Sequence, residues 1–314
     1  MEVQERERTP TRGREEEIPV RAAEPARRGL TPRSLRAFFA LAFVLGWGFG
    51  ALMVLPPVEA IFGEPGYTNP VFILAVYSPA IAGIGLVLRH YGVAGLKSYL
   101  RRLTLWRMSA AWWLLLLLGI PAVKYLGAAL NGTASEFPFS PWYALFPALL
   151  VALLIGPVEE LGWRGVALPL LQRRFAPLWA GLILGVIWGI WHLPAFVLGG
   201  TPQSAWSFGP FFIGVLALSV ILTPMFNAAR GSILIAVVFH YQMNGPAWPD
   251  AQPWENFLFA AVALAIIVLN RRRMLTSSDA ATEVLMPGGE DQPHNGALPR
   301  PQPSSHRGGL GRNR

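Results

Sequence analysis

Apolar residues in this chain come in long runs, and the connections between the runs are basic only at every second crossing. Eight runs can be drawn, over about residues 35–55, 71–89, 110–130, 142–172, 177–198, 208–226, 232–248 and 254–270. About twenty residues at a rise of about 1.5 Å cross a bilayer core. Backbone groups in hydrocarbon must be satisfied within their own segment, so such runs fold as helices. Composition agrees: 53% of residues are hydrophobic and 14% charged, with a mean hydropathy of +0.40, against roughly a quarter charged in an average soluble domain. The expected fold is all-α, a membrane bundle of about eight transmembrane helices around an intramembrane polar cavity. The fourth run is too long for one simple span, and Pro157 and Pro169 predict a break in it.

Nine arginines, Arg6 to Arg36, precede or open the first run. Arg89, Lys97, Arg101, Arg102 and Arg107 separate runs two and three. Arg173 and Arg174 follow run four, Arg230 follows run six, and Arg271, Arg272 and Arg273 follow run eight. The alternate connections, near residues 56–70, 131–141, 199–207 and 249–253, contain no Lys or Arg. The positive-inside rule then places both termini in the cytoplasm of a multi-pass protein of the cell membrane. The net charge of +8 is accounted for by this layout and by the tails, and no nucleic-acid partner is implied.

Residues 1–34 and 275–314 are rich in charge, Pro, Gly and Ser and poor in large apolar side chains, which predicts disordered cytoplasmic tails flanking a membrane domain over 35–274. The first run is too long for the apolar core of a cleaved signal peptide. The absence of cysteine excludes disulfides, thiolate metal sites and a Cys nucleophile. No internal repeat is visible, which weakens a transporter built from two halves.

Few polar side chains survive inside the runs. Glu159, Glu160 and Arg164 lie in PVEELGWRG, and each ionisable group placed in hydrocarbon costs about 2.5–3.5 kcal/mol on insertion scales. Glu160 and Arg164, four apart, are neighbours on a helix and can pair, while Glu159 points about 100° away. A buried structural ion cluster is the plain alternative. His192 ends VIWGIWH, and His240 and Asn244 share a helix face in HYQMN. Either group alone fits a packing role. Lys124 has no evident partner.

Depth brings these groups together. Glu159 is about 21 Å from Arg173, His192 about 22 Å from Pro177 and His240 about 15 Å from Arg230 at helical rise. The three can therefore meet at one level. A carboxylate, two imidazoles and a carboxamide then suit hydrolysis: Glu159 as base on a water, His192 holding that water, His240 and Asn244 as donors to an oxyanion. No cofactor is required in this reading. Zn²⁺ on Glu159, His192 and His240 is the alternative, although no HEXXH spacing supports it.

At these residues the chain resembles the CAAX prenyl protease and bacteriocin-processing family of intramembrane proteases. The pattern there is EExxxR, FxxxH and HxxxN or HxxxD on three helices of an eight-helix bundle. EELGWR and HYQMN match in full, and WGIWH matches except that Trp188 stands where the pattern has Phe. YSPAIAGI, from Tyr77, is similar to an earlier Pro-containing helix of that family. The resemblance spans about residues 36–270. It implies Glu159 as base, Glu160 and Arg164 as its support, and His192, His240 and Asn244 completing the site, with Trp188 a packing aromatic. It also implies an endopeptidase acting on a membrane-associated peptide or protein. A non-proteolytic scaffold or immunity protein and a proton-coupled transporter are the other two readings.

Overall fold

A computed structural model describes residues 29–287. Every regular element among them is helical. We label the principal helices α1 (Pro32–Met53), α2 (Pro70–Leu100), α3 (Ala110–Asn131), α4 (Leu145–Leu154), α5 (157–172), α6 (Pro177–Trp191), α7 (Phe208–Ala228), α8 (Ile233–Met243) and α9 (Trp254–Leu269). Six helical stretches are long and apolar enough to cross a membrane, the fourth being 142–172 as a whole; α8 and α9 are shorter apolar helices. The chain is a multi-pass α-helical membrane protein.

The fourth run breaks where Pro157 predicts. Helix α4 stops at Leu154, Ile155 is extended, and Gly156 adopts φ 96°, a conformation that L side chains rarely take. The chain then restarts as α5, whose middle turn, Trp163–Ala167, is of the wider π type. Such turns occur mostly as local bulges and often at functional sites. Helix α4 buries none of its side chains, and Phe146 and Leu150 face outward, as lipid contact requires.

Helix α5 is the buried axis. Trp163, Arg164, Val166, Ala167 and Leu168 are fully inaccessible. Trp163 packs edge-on against Phe38 of α1 and Trp191 of α6. Helix α2 crosses α5 at glycines: a Cβ on Gly83 would stand 3.0 Å from Leu161 O and 3.1 Å from Gly162 Cα. Small residues at such crossings let backbones approach closely enough for dispersion to hold helices in lipid. A second core, including Leu116, Ile221, Phe239 and Phe259, joins α3, α7, α8 and α9.

The basic end of the bundle is closed by Arg102, which is fully buried. Its guanidinium donates to Gly165 O at 2.7 Å, to Gly231 O and Val284 O at 2.9 Å each, and lies over Phe226. One side chain thereby ties the α2 end, α5, the turn before α8 and the chain after α9.

The expected C-terminal tail is corrected over residues 275–287. Val284 and Leu285 are buried, and the neighbouring backbone has partners on the bundle. Gln172 and Asn227 exchange amide hydrogen bonds of 2.9 and 2.7 Å, and together they hold Ala281, accepting from its N–H and donating to its O. Arg173 donates to Thr282 O, and Met286 N donates to Ser98 Oγ. Two apolar side chains and a satisfied backbone outweigh the polar composition that suggested disorder. The N-terminal boundary also moves inward, since Leu30 is buried and α1 begins at Pro32. Residues 1–28 and 288–314, the remainder of both expected tails, lie outside the described residues.

Removing Arg102 takes a charged donor away from the buried carbonyls of Gly165, Gly231 and Val284. Arg102→Ala is expected to destabilise the purified full-length protein by about 3 kcal/mol, read as a lowered thermal midpoint in detergent. An unchanged midpoint would count against the clasp.

Candidate active site

Three helix ends meet inside the bundle: the start of α5, the end of α6 and the end of α8. Helix α8 has 11 residues, about half a bilayer in length, and stops at Met243 with Asn244 as its cap. The runs read as 177–198 and 232–248 are thus interrupted at His192 and Asn244. Irregular backbone at membrane depth is tolerated where it lines a cavity. Here it does, around a cavity of about 560 Å³.

Glu159, His192, His240 and Asn244 all line this cavity. Glu160 and Arg164 stand behind it, both fully buried. Glu160 Oε1 accepts from Arg164 Nη1 at 2.9 Å and from His240 Nδ1 at 2.8 Å. The expected i,i+4 pair is present, and it extends across to α8.

Glu159 is held differently. Its Oε2 accepts from the indole N–H of Trp163 at 3.1 Å and of Trp188 at 3.0 Å. Its Oε1 has no hydrogen-bond partner among the described residues. The carboxylate is fixed by one oxygen while the other is left for something in the cavity.

The histidine tautomers follow from their partners. His192 Nδ1 lies 2.8 Å from Trp188 O, which can only accept, so Nδ1 carries the proton and Nε2 is free to accept. His240 Nδ1 donates to a carboxylate, and its Nε2 lies beside Gly156 and the Asn244 amide. A Cβ at Gly156 would stand 3.4 Å from His240 Nε2 and collide with Asn244 Nδ2. Positive φ and close approach both require glycine there.

Trp188 corrects the sequence reading, which gave it only a packing role. Its N–H holds Glu159, its carbonyl orients His192, and its ring carries the Arg164 guanidinium 4.6 Å from the centroid. Both histidine rings also meet it edge-on. A Phe would supply the ring and the carbonyl but no N–H. The four-residue spacing of Glu159 and Trp163 signals the second indole contact; Trp188 to Glu159 has no signal in sequence.

Lys124 is also corrected. Its Nζ lies 2.6 Å from Glu255 Oε2 and donates to Met243 O at 3.2 Å. Glu255, in the first turn of α9, is a third buried acid that the sequence reading did not count among those inside spans. A lone lysine in a span calls for a carboxylate, and that demand was the available signal. The pair lines the same cavity.

The hydrogen bonds leave Glu159 Oε1 and Nε2 of each histidine available as donors to a metal ion, since a ligating histidine commonly holds its other N–H on a carbonyl or carboxylate. Among the described residues, no three His, Cys, Asp or Glu side chains are grouped to hold a metal ion.

Residues 141–245 match the family described as Type II CAAX prenyl endopeptidase Rce1-like. This part of the chain is similar to that family. It contains all six residues assembled at and behind the cavity wall, while Lys124 and Glu255 lie outside it. The chain is also 33% identical over 172 residues to a protein named CAAX prenyl protease 2 from Methanococcus maripaludis. That match covers 49% of this chain and 64% of the relative, so it spans somewhat less than two thirds of the relative's length.

Breaking the Lys124–Glu255 ion pair leaves a buried charge alone. Lys124→Met is expected to cost about 3–5 kcal/mol of stability, and the double variant with Glu255→Leu to recover most of it. Additive losses in thermal unfolding would contradict this coupling.

Proposed function

We propose that the chain is an intramembrane endopeptidase that hydrolyses a peptide bond of a membrane-associated peptide or protein by a glutamate-activated water. The observation that carries this reading is Glu159: one oxygen is anchored by two indoles, and the other is unpartnered in a cavity shared with His192, His240 and Asn244. Glu160 also has an oxygen, Oε2, without a hydrogen-bond partner, but that side chain is fully buried behind the cavity, whereas Glu159 lines it. The Rce1-like match and the name of the archaeal relative support the same class of reaction.

In the proposed reaction a water sits between Glu159 Oε1 and His192 Nε2. Glu159 takes one of its protons as the oxygen attacks the peptide carbonyl. His240 Nε2–H and the Asn244 amide donate to the oxyanion of the tetrahedral intermediate. The C–N bond then breaks, and Glu159 returns the proton to the leaving amine. For Nε2 to donate, His240 must be an imidazolium, and Glu160 is placed to hold that charge at Nδ1. Glu159, Glu160, Arg164 and His240 then sum to zero charge, which a dry site favours. No resident metal enters this scheme.

The alternation of basic connections supports an orientation with both termini cytoplasmic in the cell membrane.

Glu159→Ala and His192→Ala are each expected to lower cleavage of a membrane-peptide library by about a thousandfold or more, with insertion and thermal midpoint retained. Cleavage by both variants at the parent rate would end this mechanism, and substrate flux into proteoliposomes without cleavage would favour a transporter. Exhaustive chelation is expected to leave the rate unchanged, with no stoichiometric metal in elemental analysis. Activity lost on chelation and restored by Zn²⁺ would overturn the metal-free scheme.

A further inference from the structure

Helix α8 ends inside the membrane, and a helix end leaves its last carbonyls without intrahelical donors. Outside side chains take two of them here. The Trp248 indole N–H donates to Gln242 O at 2.7 Å, and Lys124 Nζ of α3 donates to Met243 O at 3.2 Å. The residue after Met243 is Asn244, the cap of the helix and part of the cavity wall. Its side chain makes no hydrogen bond among the described residues. The backbone of the helix end, together with the close approach of Gly156, therefore sets where its amide stands.

Lys124 is held in turn. Its ammonium meets Glu255 Oε2 at 2.6 Å, Glu255 Oε1 accepts from Gln252 Nε2 at 2.5 Å, and Gln252 Oε1 accepts from Asn256 Nδ2 at 2.6 Å. Gly127, about one turn after Lys124, admits this approach of α9: a Cβ there would stand 2.9 Å from Ala251 Cβ and 3.1 Å from Glu255 N. A lysine stem is flexible, and the carboxylate fixes where its charge points. Stability alone does not call for such a pair, since apolar residues of similar volume often hold helices together as well as a buried ion pair. What an apolar pair lacks is a donor for Met243 O. A cation at that place also faces the negative end of the α8 dipole.

We propose that Lys124, held by Glu255, is a positioning residue: by gripping Met243 O it sets the end of α8, and through it the Asn244 amide that donates to the oxyanion. Both residues lie outside 141–245, so the family match assigns them no part. The role given to Asn244 rests on the proteolytic reading. The grip on the helix end rests on the hydrogen bonds and the unpartnered amide.

The test variant is full-length Lys124→Met/Glu255→Leu in nanodiscs, which removes the grip without stranding a charge and is expected to keep a thermal midpoint near that of the parent. Lys124→Gln/Glu255→Gln, neutral and with a side chain one bond shorter than lysine, is a second variant for the same measurements. Amide hydrogen exchange, read by mass spectrometry, needs no substrate. Exchange over 241–248 is expected to quicken about tenfold or more, with 157–165 unchanged. Unchanged exchange over 241–248, or equal quickening in both segments, would overturn the grip. Kinetics on a cleaved membrane peptide read the consequence: kcat is expected to fall about tenfold while KM stays within about twofold. Adding Asn244→Ala to either double variant is expected to lower kcat no further than Asn244→Ala alone. Losses that multiply would show Lys124 acting independently of Asn244, and a raised KM with kcat retained would make it a substrate contact; either result overturns the positioning role. A parent chain that cleaves nothing, with exchange changed as expected, would end the proteolytic reading and leave the hold on α8 standing.

Discussion

Glu160 Oε1 accepts two donors, Arg164 from its own helix and His240 from α8, and the rest of the site depends on that shared oxygen. It joins the restarted helix α5 to a helix that ends in mid-membrane. It also fixes the ring of His240, and so the position of Nε2 beside Asn244 and Gly156. Arg164, drawn towards Glu160, lays its guanidinium on Trp188, and Trp188 then reaches Glu159. One carboxylate is spent on structure so that the adjacent one stays open on its cavity side. Adjacent positions on a helix point about 100° apart. Two neighbouring glutamates are a compact way of serving both needs.

Such a cluster is stable only if the low-dielectric interior contains compensating partners. The indoles of Trp163 and Trp188 fulfil that role for Glu159 with neutral donors, which add no opposite charge. A lysine or arginine in either place would neutralise the carboxylate. Tryptophan gives position without pairing.

Much of the fold was legible because membrane helices advertise themselves by length and by the charge of their connections. The Glu160–Arg164 pair was legible too, since it is local and follows helix periodicity. What escaped was held by distant residues. Trp188 touches Glu159 across 29 positions, and Lys124 meets Glu255 across the α3–α9 contact; neither spacing has a local period. The chain after α9 was misread because composition weighs average hydrophobicity. Two buried side chains, Val284 and Leu285, and a few well-placed donors suffice to dock it. The interruptions at His192 and Asn244 were hidden for a similar reason: the apolar run continues through Leu193 and Pro194, where a short helix resumes, and through Pro246, where the backbone has left the helix.

The reach of Arg102 has a consequence for assembly. Its acceptors lie on α5, on the turn before α8 and on the chain after α9, at Gly165, Gly231 and Val284. The last of these follows every membrane helix in the sequence, so the clasp closes only once the whole bundle has been threaded, and the final residues to arrive complete the contacts of one of the earliest.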